Sequence, residues 1–327
     1  MKVLHINTGN EEGGGMNHIL TLLKILNNQM QVILGVFEEG KMAREARKSG
    51  IHVQTFHQNS KWDFRILKKM KNFVEDNNID IIHSHGARAN FFVFLLKKKL
   101  KCLWIVTVHS NPMDDFLGKK IIGKLFSRLN IRAIKAADRV IAISEKMKDD
   151  LVKMGIESSK IDVLLNGIDF DLTPAVEYQR KEFGLAEDDF VMIMIARLEP
   201  VKNHEMAFKG LKRALGQNGK IKLLLVGDGS RKKELEDKTK TLGLQHAVSF
   251  LGWRNDVKEL LPICDISILT SLSETFPFVL LESARAKKPF ISTDVGGVRL
   301  LAGDGQFGRV VPLEDDRALS EQILEMA

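Results

Sequence analysis

Short apolar runs alternate with longer segments of helical period along the whole chain, and this rhythm restricts the fold more than any other feature. The first half carries such runs at Val3 to Ile6, Val32 to Val36, Val53 to Phe56, Ile79 to His83, Leu103 to Val108, Val140 to Ile143 and Ile161 to Leu164. The second half repeats them at Phe190 to Ala196, Leu223 to Val226, Val248 to Leu251, Ile266 to Leu269 and Phe290 to Ser292. Runs this short, bounded by turn formers, read as buried strands, and a helix between consecutive strands supplies the crossover that parallel pairing requires. The predicted class is α/β, with two Rossmann-like domains whose parallel sheets are covered by helices on both faces. At 327 residues the chain is long enough for both. Turn formers gather in Asn166-Gly-Ile-Asp-Phe-Asp-Leu-Thr-Pro174, which divides the chain into residues 1–172 and 173–327. Ligands of open parallel sheets sit beyond the carboxyl ends of the strands, so each half is expected to offer loops to a cleft between the domains.

Composition narrows the function classes. With 44% hydrophobic and 28% charged residues the chain is an ordinary globular enzyme by composition, not a disordered one. Its two cysteines, Cys102 and Cys264, lie far apart in apolar runs, which suggests neither a disulfide framework nor a zinc site. Met1-Lys-Val-Leu-His-Ile-Asn7 leads directly into the first strand without a signal core, and no run approaches the ~18 apolar residues of a spanning helix. A cytoplasmic protein is expected. The net charge of +7 divides into +8 for residues 1–172 and −1 for the remainder. The excess concentrates in Phe64–Lys71, Phe91–Lys101 and Lys119–Arg128, where apolar and basic residues interleave as they do on helices that lie against anionic lipid. A helix with one core face and one solvated basic face has the same pattern. No nucleic-acid motif accompanies the charge, so nucleic acid is not an expected partner.

Glu274 and Glu282 stand eight positions apart in Ser273-Glu-Thr-Phe-Pro-Phe-Val-Leu-Leu-Glu282, just after the strand-like Ile266–Thr270. Pro277 fits the first position of a helix, which puts Glu274 in a loop and Glu282 about one turn into that helix. Helix N–H groups beside such carboxylates suit an anion and the vicinal hydroxyls of a ribose, as in a nucleotide-sugar site. The spacing is equally compatible with an exposed Glu274 and a Glu282 paired with a surface cation.

Three glycines, Gly13, Gly14 and Gly15, precede the helix-period Ile19–Leu26, so backbone N–H groups can approach a phosphate or a sugar. Gly227-Asp-Gly229 opens a second strand-to-helix turn, but neither turn has the G-x-G-x-x-G dinucleotide fingerprint. Arg197 follows the strand ending at Ala196, and Lys202 stands immediately before Asn203, a candidate N-cap for the next helix. Two cations there can neutralise a diphosphate leaving group without a metal; simple surface solvation is the alternative. His83, His85 and His109 each end a predicted strand on the ligand side, and His109 is the best placed to hydrogen-bond a sugar hydroxyl or phosphate. No Asp and His cluster has metal-ligand spacing, so no obligatory metal is predicted, and no G-x-S-x-G supports hydrolysis.

Taken in order, Ala196-Arg-Leu-Glu-Pro-Val-Lys-Asn203, Leu224-Leu-Val-Gly-Asp-Gly229, Val248-Ser-Phe-Leu-Gly-Trp253, the paired glutamates and Ser292-Thr-Asp-Val-Gly-Gly297 resemble the retaining, GT-B-fold glycosyltransferases of family 4, the group 1 type. Ala137–Ser144 and Asn166–Asp169 extend the resemblance into the first half. It implies a first domain on the acceptor side and a second that binds the nucleotide-sugar donor and is short at its carboxyl end. It implies further that Arg197 and Lys202 hold the donor diphosphate and Glu282 the ribose. Glu274 would stand near the transferred sugar with backbone N–H groups of Phe276, Phe278 and Val279 around it. His109 would approach the donor sugar, Gly14 and Gly15 would meet phosphate and acceptor, and Gly227, Trp253 and Arg254 would complete the donor set near the base. The implied reaction moves a hexosyl or N-acetylhexosaminyl unit, with retention, from a UDP- or GDP-type sugar to a polysaccharide or lipid-linked acceptor. It needs no obligatory cofactor and would take place at the inner membrane face. This chain departs from the family pattern at Ser283-Ala-Arg-Ala-Lys-Lys-Pro289 and after Gly297, where a frequent acid is replaced by Val298-Arg-Leu-Leu301. A nucleotide-sugar epimerase and a non-catalytic sugar-nucleotide binder are the alternative classes.

Overall fold

A computed structural model describes residues 1–10, 14–60, 63–113 and 120–327. Gly13 and Lys119 therefore lie outside the described residues. The chain divides into two compact units, Met1–Gly167 and Ile168–Ala327.

The first unit contains strands β1 (Lys2–Asn7), β2 (Gln31–Val36), β3 (His52–Thr55), β4 (Ile81–His85), β5 (Leu103–Val108), β6 (Arg139–Ala142) and β7 (Ile161–Val163). Helices α1 (Gly14–Leu26), α2 (Lys41–Lys48), α3 (Arg65–Asp76), α4 (Ala87–Leu96), α5 (Lys120–Ala136) and α6 (Glu145–Lys153) alternate with them. The sheet order is β3-β2-β1-β4-β5-β6-β7, and every pairing is parallel. Chain order reverses between β1 and β4, which makes the gap beyond their carboxyl ends the switch point where ligands of such sheets bind. One core cluster gathers Leu4, Ile6, Ile82, Phe92 and Trp104, and a second gathers Ile19, Leu23, Leu34 and Met42, so the sheet is covered on both faces as its apolar strands require.

The second unit contains β8 (Phe190–Ile195), β9 (Ile221–Val226), β10 (Val248–Gly252), β11 (Ile266–Leu269), β12 (Phe290–Thr293) and β13 (Gly308–Val311). Its helices are α7 (His204–Leu215), α8 (Lys232–Leu242), α9 (Val257–Leu260), α10 (Phe278–Arg285), α11 (Val298–Ala302) and α12 (Asp316–Met326). The order β10-β9-β8-β11-β12-β13 is again parallel, with its switch point between β8 and β11. Two parallel-sheet Rossmann-like units are thus the observed α/β architecture, as the alternation predicts.

Local differences have physical causes. Strand β13 escapes the apolar-run pattern because Gly308 and Arg309 occupy half of it; Gly308 is needed where an added Cβ would stand 2.6 Å from the Phe290 ring. β4 runs two residues further than expected, so His83 lies inside the strand and not at its end. Helix α1 begins at Gly14, which makes Gly14 and Gly15 its first two residues and not a loop before it. Pro277 is the extended N-cap of α10, and the helix begins at Phe278. Asn203 precedes α7 as expected, but it adopts a left-handed conformation (φ 47°) and its side chain caps nothing. Among the described residues, no helix is long and apolar enough to cross a membrane.

Candidate functional site

In the second unit the site residues are gathered at the switch point by the loops that leave β8 and β11. Lys202 leaves a single 3-10 turn after β8, and Glu274 lies in the loop after β11. Their side chains meet, with Lys202 Nζ 2.5 Å from Glu274 Oε1 and only 19% and 15% of the two side chains exposed. Ser271 Oγ donates to the same carboxylate oxygen at 2.6 Å. The loops are also joined through the backbone: Thr270 Oγ1 donates to the carbonyls of Lys202 (3.1 Å) and Asn203 (3.0 Å), and Leu272 N–H donates to Val201 O at 2.8 Å. Neither the exposed Glu274 of the bland alternative nor an unpaired Lys202 is found.

Two glycines hold the Glu274 loop from below. Gly296 has φ 51°, and a Cβ there would stand 2.4 Å from Thr275 O and 2.5 Å from Glu274 O, so no other residue lets the backbones pass. Gly297 lies under the ring of buried Phe276 and donates its N–H to Thr275 O at 3.0 Å. Phe278 and Val279 are the first two residues of α10, at the end where a helix dipole favours an anion. Glu282 is the fifth. Burial raises its carboxyl above the ordinary glutamate value, partly offset by Arg285, and among the described residues no cation pairs with it. A partly buried carboxylate in that state gains most from hydroxyl donors.

Arg197 is exposed just past β8 and has no ion-pair partner among the described residues. Gly227 lies against it: a Cβ on Gly227 would stand 2.0 Å from Ala196 O, and its φ of 149° is one that side chains avoid. Gly227 N–H donates to Gly252 O at 2.8 Å, which joins the ends of β9 and β10, and Ala196 N–H donates to Val226 O at 3.0 Å, which joins the ends of β8 and β9. Trp253 follows, 61% exposed. Arg254 is engaged within the fold: Nε donates to Asp256 Oδ1 at 2.8 Å, an Nη donates to Tyr178 Oη at 3.2 Å, and the guanidinium lies 5.8 Å and 5.9 Å from the Tyr178 and Phe183 ring centres. That pairing holds the Asp256 carboxyl down at about 2.

In the first unit, β1, β4 and β5 bring four histidines together at the other switch point. Register pairs His5 with His83, and His85 with Thr107 two residues before His109. His5, His83 and His85 are 1%, 6% and 0% exposed, and their ligand nitrogens lie within 4.8 Å of one another. They are the one group among the described residues with the proximity for a metal, although the sequence spacing shows no such cluster. Burial keeps every member neutral: His5 and His109 are pushed down to about 3, and His83 and His85 well below the ordinary value. His18 of α1 approaches His109 edge to face at 5.1 Å. The sequence pattern does not single out His5; a histidine interrupting the apolar Val3-Leu4-His5-Ile6 is the available signal.

Comparison with known proteins gives a consistent result. Residues 12–172 match the family described as Glycosyltransferase Family 4, and residues 176–327 match Glycosyl transferases group 1. The UDP-Gal:alpha-D-GlcNAc-diphosphoundecaprenol alpha-1,3-galactosyltransferase of Escherichia coli is 27% identical over 77% of this chain and 67% of its own length. A Campylobacter jejuni protein, N-acetylgalactosamine-N,N'-diacetylbacillosaminyl-diphospho-undecaprenol 4-alpha-N-acetylgalactosaminyltransferase, is 25% identical over 96% of this chain and 87% of its own. Among solved structures, Anabaena Alr3699/HepE in complex with UDP-glucose matches with a TM-score of 0.86 at 22% identity, covering 99% of this chain and 88% of that one. At that identity the likeness shows the fold, which is that of the GT-B structures.

Proposed function

The chain belongs to the group 1 and family 4 glycosyl transferases, and from that premise we propose that it transfers a hexosyl or N-acetylhexosaminyl unit from a UDP-sugar, with retention, to a lipid-linked or polysaccharide acceptor. The observation that carries the donor half of this reading is the Lys202–Glu274 pair at the switch point, beside the N-terminus of α10. A part-buried cation tied to a carboxylate is preorganised, so it can stabilise charge on a departing diphosphate without reorganising. Lys202 and exposed Arg197 are the proposed diphosphate ligands. Glu282 is the proposed ribose holder, and Glu274 orients Lys202 and the transferred sugar. Gly227 lets the backbone approach the nucleotide, Trp253 offers an exposed ring face to the base, and Phe276, Phe278 and Val279 contribute backbone N–H groups. Arg254 enters only as a support for that loop, since Asp256 and Tyr178 hold it. In the first unit, His109 and the α1 start at Gly14 and Gly15 are proposed to meet sugar, phosphate or acceptor.

The UDP donor and the undecaprenyl-type acceptor are inferred from the activities for which the Escherichia coli and Campylobacter jejuni relatives are named and from the UDP-glucose complex of HepE. Those relatives are transferases and give no support to an epimerase. Association with an anionic membrane face is the last part of the reading; it is supported by α5, where Lys124, Arg128, Arg132 and Lys135 are exposed together with Leu125 at 56%.

Incubation of the full chain with radiolabelled UDP-sugars and a polyprenyl-diphosphate sugar acceptor tests the proposal. Label transferred to the lipid is the expected result, and the anomeric proton coupling in the product reports retention. Isomerised donor, or binding without transfer, would sink it.

A further inference from the structure

His5, His85 and His109 are joined in a row. His5 Nδ1 lies 3.1 Å from His85 Nε2, and His85 Nδ1 lies 3.1 Å from His109 Nε2. In both pairs the ring centres are 5.4 Å apart, with the planes inclined by 10° and 29°. Centre separation exceeds nitrogen separation by roughly two ring radii, so the rings meet edge to edge, nearly in one plane, as N–H···N partners do. His83 stands outside the row, its Nε2 2.7 Å from Thr107 Oγ1.

The inner end of the row is closed. His5 Nε2 is buried and has no hydrogen-bond partner among the described residues. A row with a blind end does not conduct protons through the protein; it can fix which nitrogen of each ring bears the hydrogen. A neutral imidazole has one donor and one acceptor, so the row has two polarities. In one, every ring carries hydrogen on Nε2, and His5 directs an N–H at a site with no acceptor. In the other, every ring carries it on Nδ1, and the orphaned atom is a bare lone pair. A buried N–H without an acceptor is the rarer defect, which selects the second polarity.

We propose that His5 and His85 are positioning residues that lock His109 as the Nδ1–H tautomer, a neutral hydrogen-bond donor at the carboxyl end of β5 for an oxygen of the bound sugar or phosphate. His109 lines, with Gly86, Thr107, Ser110 and Asn130, a cavity of about 40 Å³. That is room for a water or a single ligand hydroxyl. A metal bound by His5, His83 and His85 is incompatible with the row, because the row engages both nitrogens of His85, Nε2 with His5 and Nδ1 with His109. That the oxygen belongs to a sugar nucleotide rests on the function proposed above; the tautomer does not.

Nitrogen-15 imidazole NMR of the full chain reads the tautomer directly, with the His109 signals assigned by their loss in His109→Gln. The expected spectrum has hydrogen on Nδ1 of His5, His85 and His109; hydrogen on Nε2 of His109 would overturn the proposal. In His85→Phe, which keeps a ring but breaks the row, His109 should move to the Nε2–H form that an unconstrained imidazole prefers. Its kcat/KM should then fall roughly ten-fold, as loss of an orienting partner does at comparable sites. An unchanged His109 tautomer in that variant also overturns the idea. If His85→Phe does not fold, the wild-type spectrum decides alone. Stoichiometric metal found by elemental analysis of the purified chain counts against the row. A correct tautomer in a protein that transfers no sugar would refute the proposed function and leave this inference standing.

Discussion

Lys202 and Glu274 hold each other at the ends of two strands, so a substitution at either position acts on both the site and its support. Arg197→Ala removes an exposed cation with no ion-pair partner among the described residues. It is predicted to lower kcat/KM by the equivalent of roughly 2–4 kcal/mol with the melting temperature unchanged. Lys202→Ala should cost as much in kcat/KM and also lower the melting temperature, because it leaves a part-buried carboxylate uncompensated. Equal thermal stability of the two variants would contradict the pairing, and near-normal turnover by both would contradict the phosphate role. Gly296→Ala is a test of geometry. At φ 51°, with Thr275 O 2.4 Å from the new Cβ, the loop must move; a stability loss of about 1–3 kcal/mol by denaturant unfolding and a weaker response to UDP-sugar in thermal shift are expected. The sequence identified most of these residues by type and order. It could not assign Lys202 to Glu274, 72 positions away, nor show that Arg254 is already engaged.

Elements differ in how much of their role their own sequence carries. Helix α5 does so almost completely, since exposed Lys124, Arg128, Arg132 and Lys135 recur at helical spacing while Ala133 and Ile134 are buried. Replacing those four cations by glutamine is predicted to abolish salt-sensitive co-sedimentation with vesicles containing phosphatidylglycerol while leaving transfer to a water-soluble acceptor intact. Vesicle binding that persists, or that ignores salt, would refute the membrane reading. Packing between α7 and α12 includes instead a close approach that no pattern reveals. A Cβ at Gly210 would lie 2.8 Å from Leu319 Cδ2, so Gly210→Val should destabilise the second unit by about 1–3 kcal/mol by calorimetry. Strand β13 escapes the apolar-run pattern for a related reason: an edge strand needs few apolar residues, and its glycine is set by Phe290 on the neighbouring strand.

At the scale of the molecule the buried histidines make the two units unequal in acid. An unfolded chain protonates each imidazole below about pH 6.5, whereas His5 and His109 in the folded chain resist until about 3, and His83 and His85 are also depressed. Unfolding therefore takes up protons, and stability, complete above pH 6.5, declines as the pH falls through the window below it. Each such group contributes a slope of up to about 1.4 kcal/mol per pH unit. The second unit has only His204 of this kind, lowered to about 4. The first unit is predicted to unfold at higher pH than the second when acid titration is followed by fluorescence of variants that keep a single tryptophan, Trp104 for one unit and Trp253 for the other. Coincident transitions would contradict the neutral state of the row. The sequence by itself determined two parallel α/β units and the residue types at each strand end, because apolar periodicity and turn chemistry are local properties. Only the tertiary structure decided which of those ends meet. The crossover connections put β1 beside β4 and β8 beside β11, so Lys202 finds Glu274 and three distant histidines close into a row, contacts whose energies depend on distances through space that local sequence does not encode.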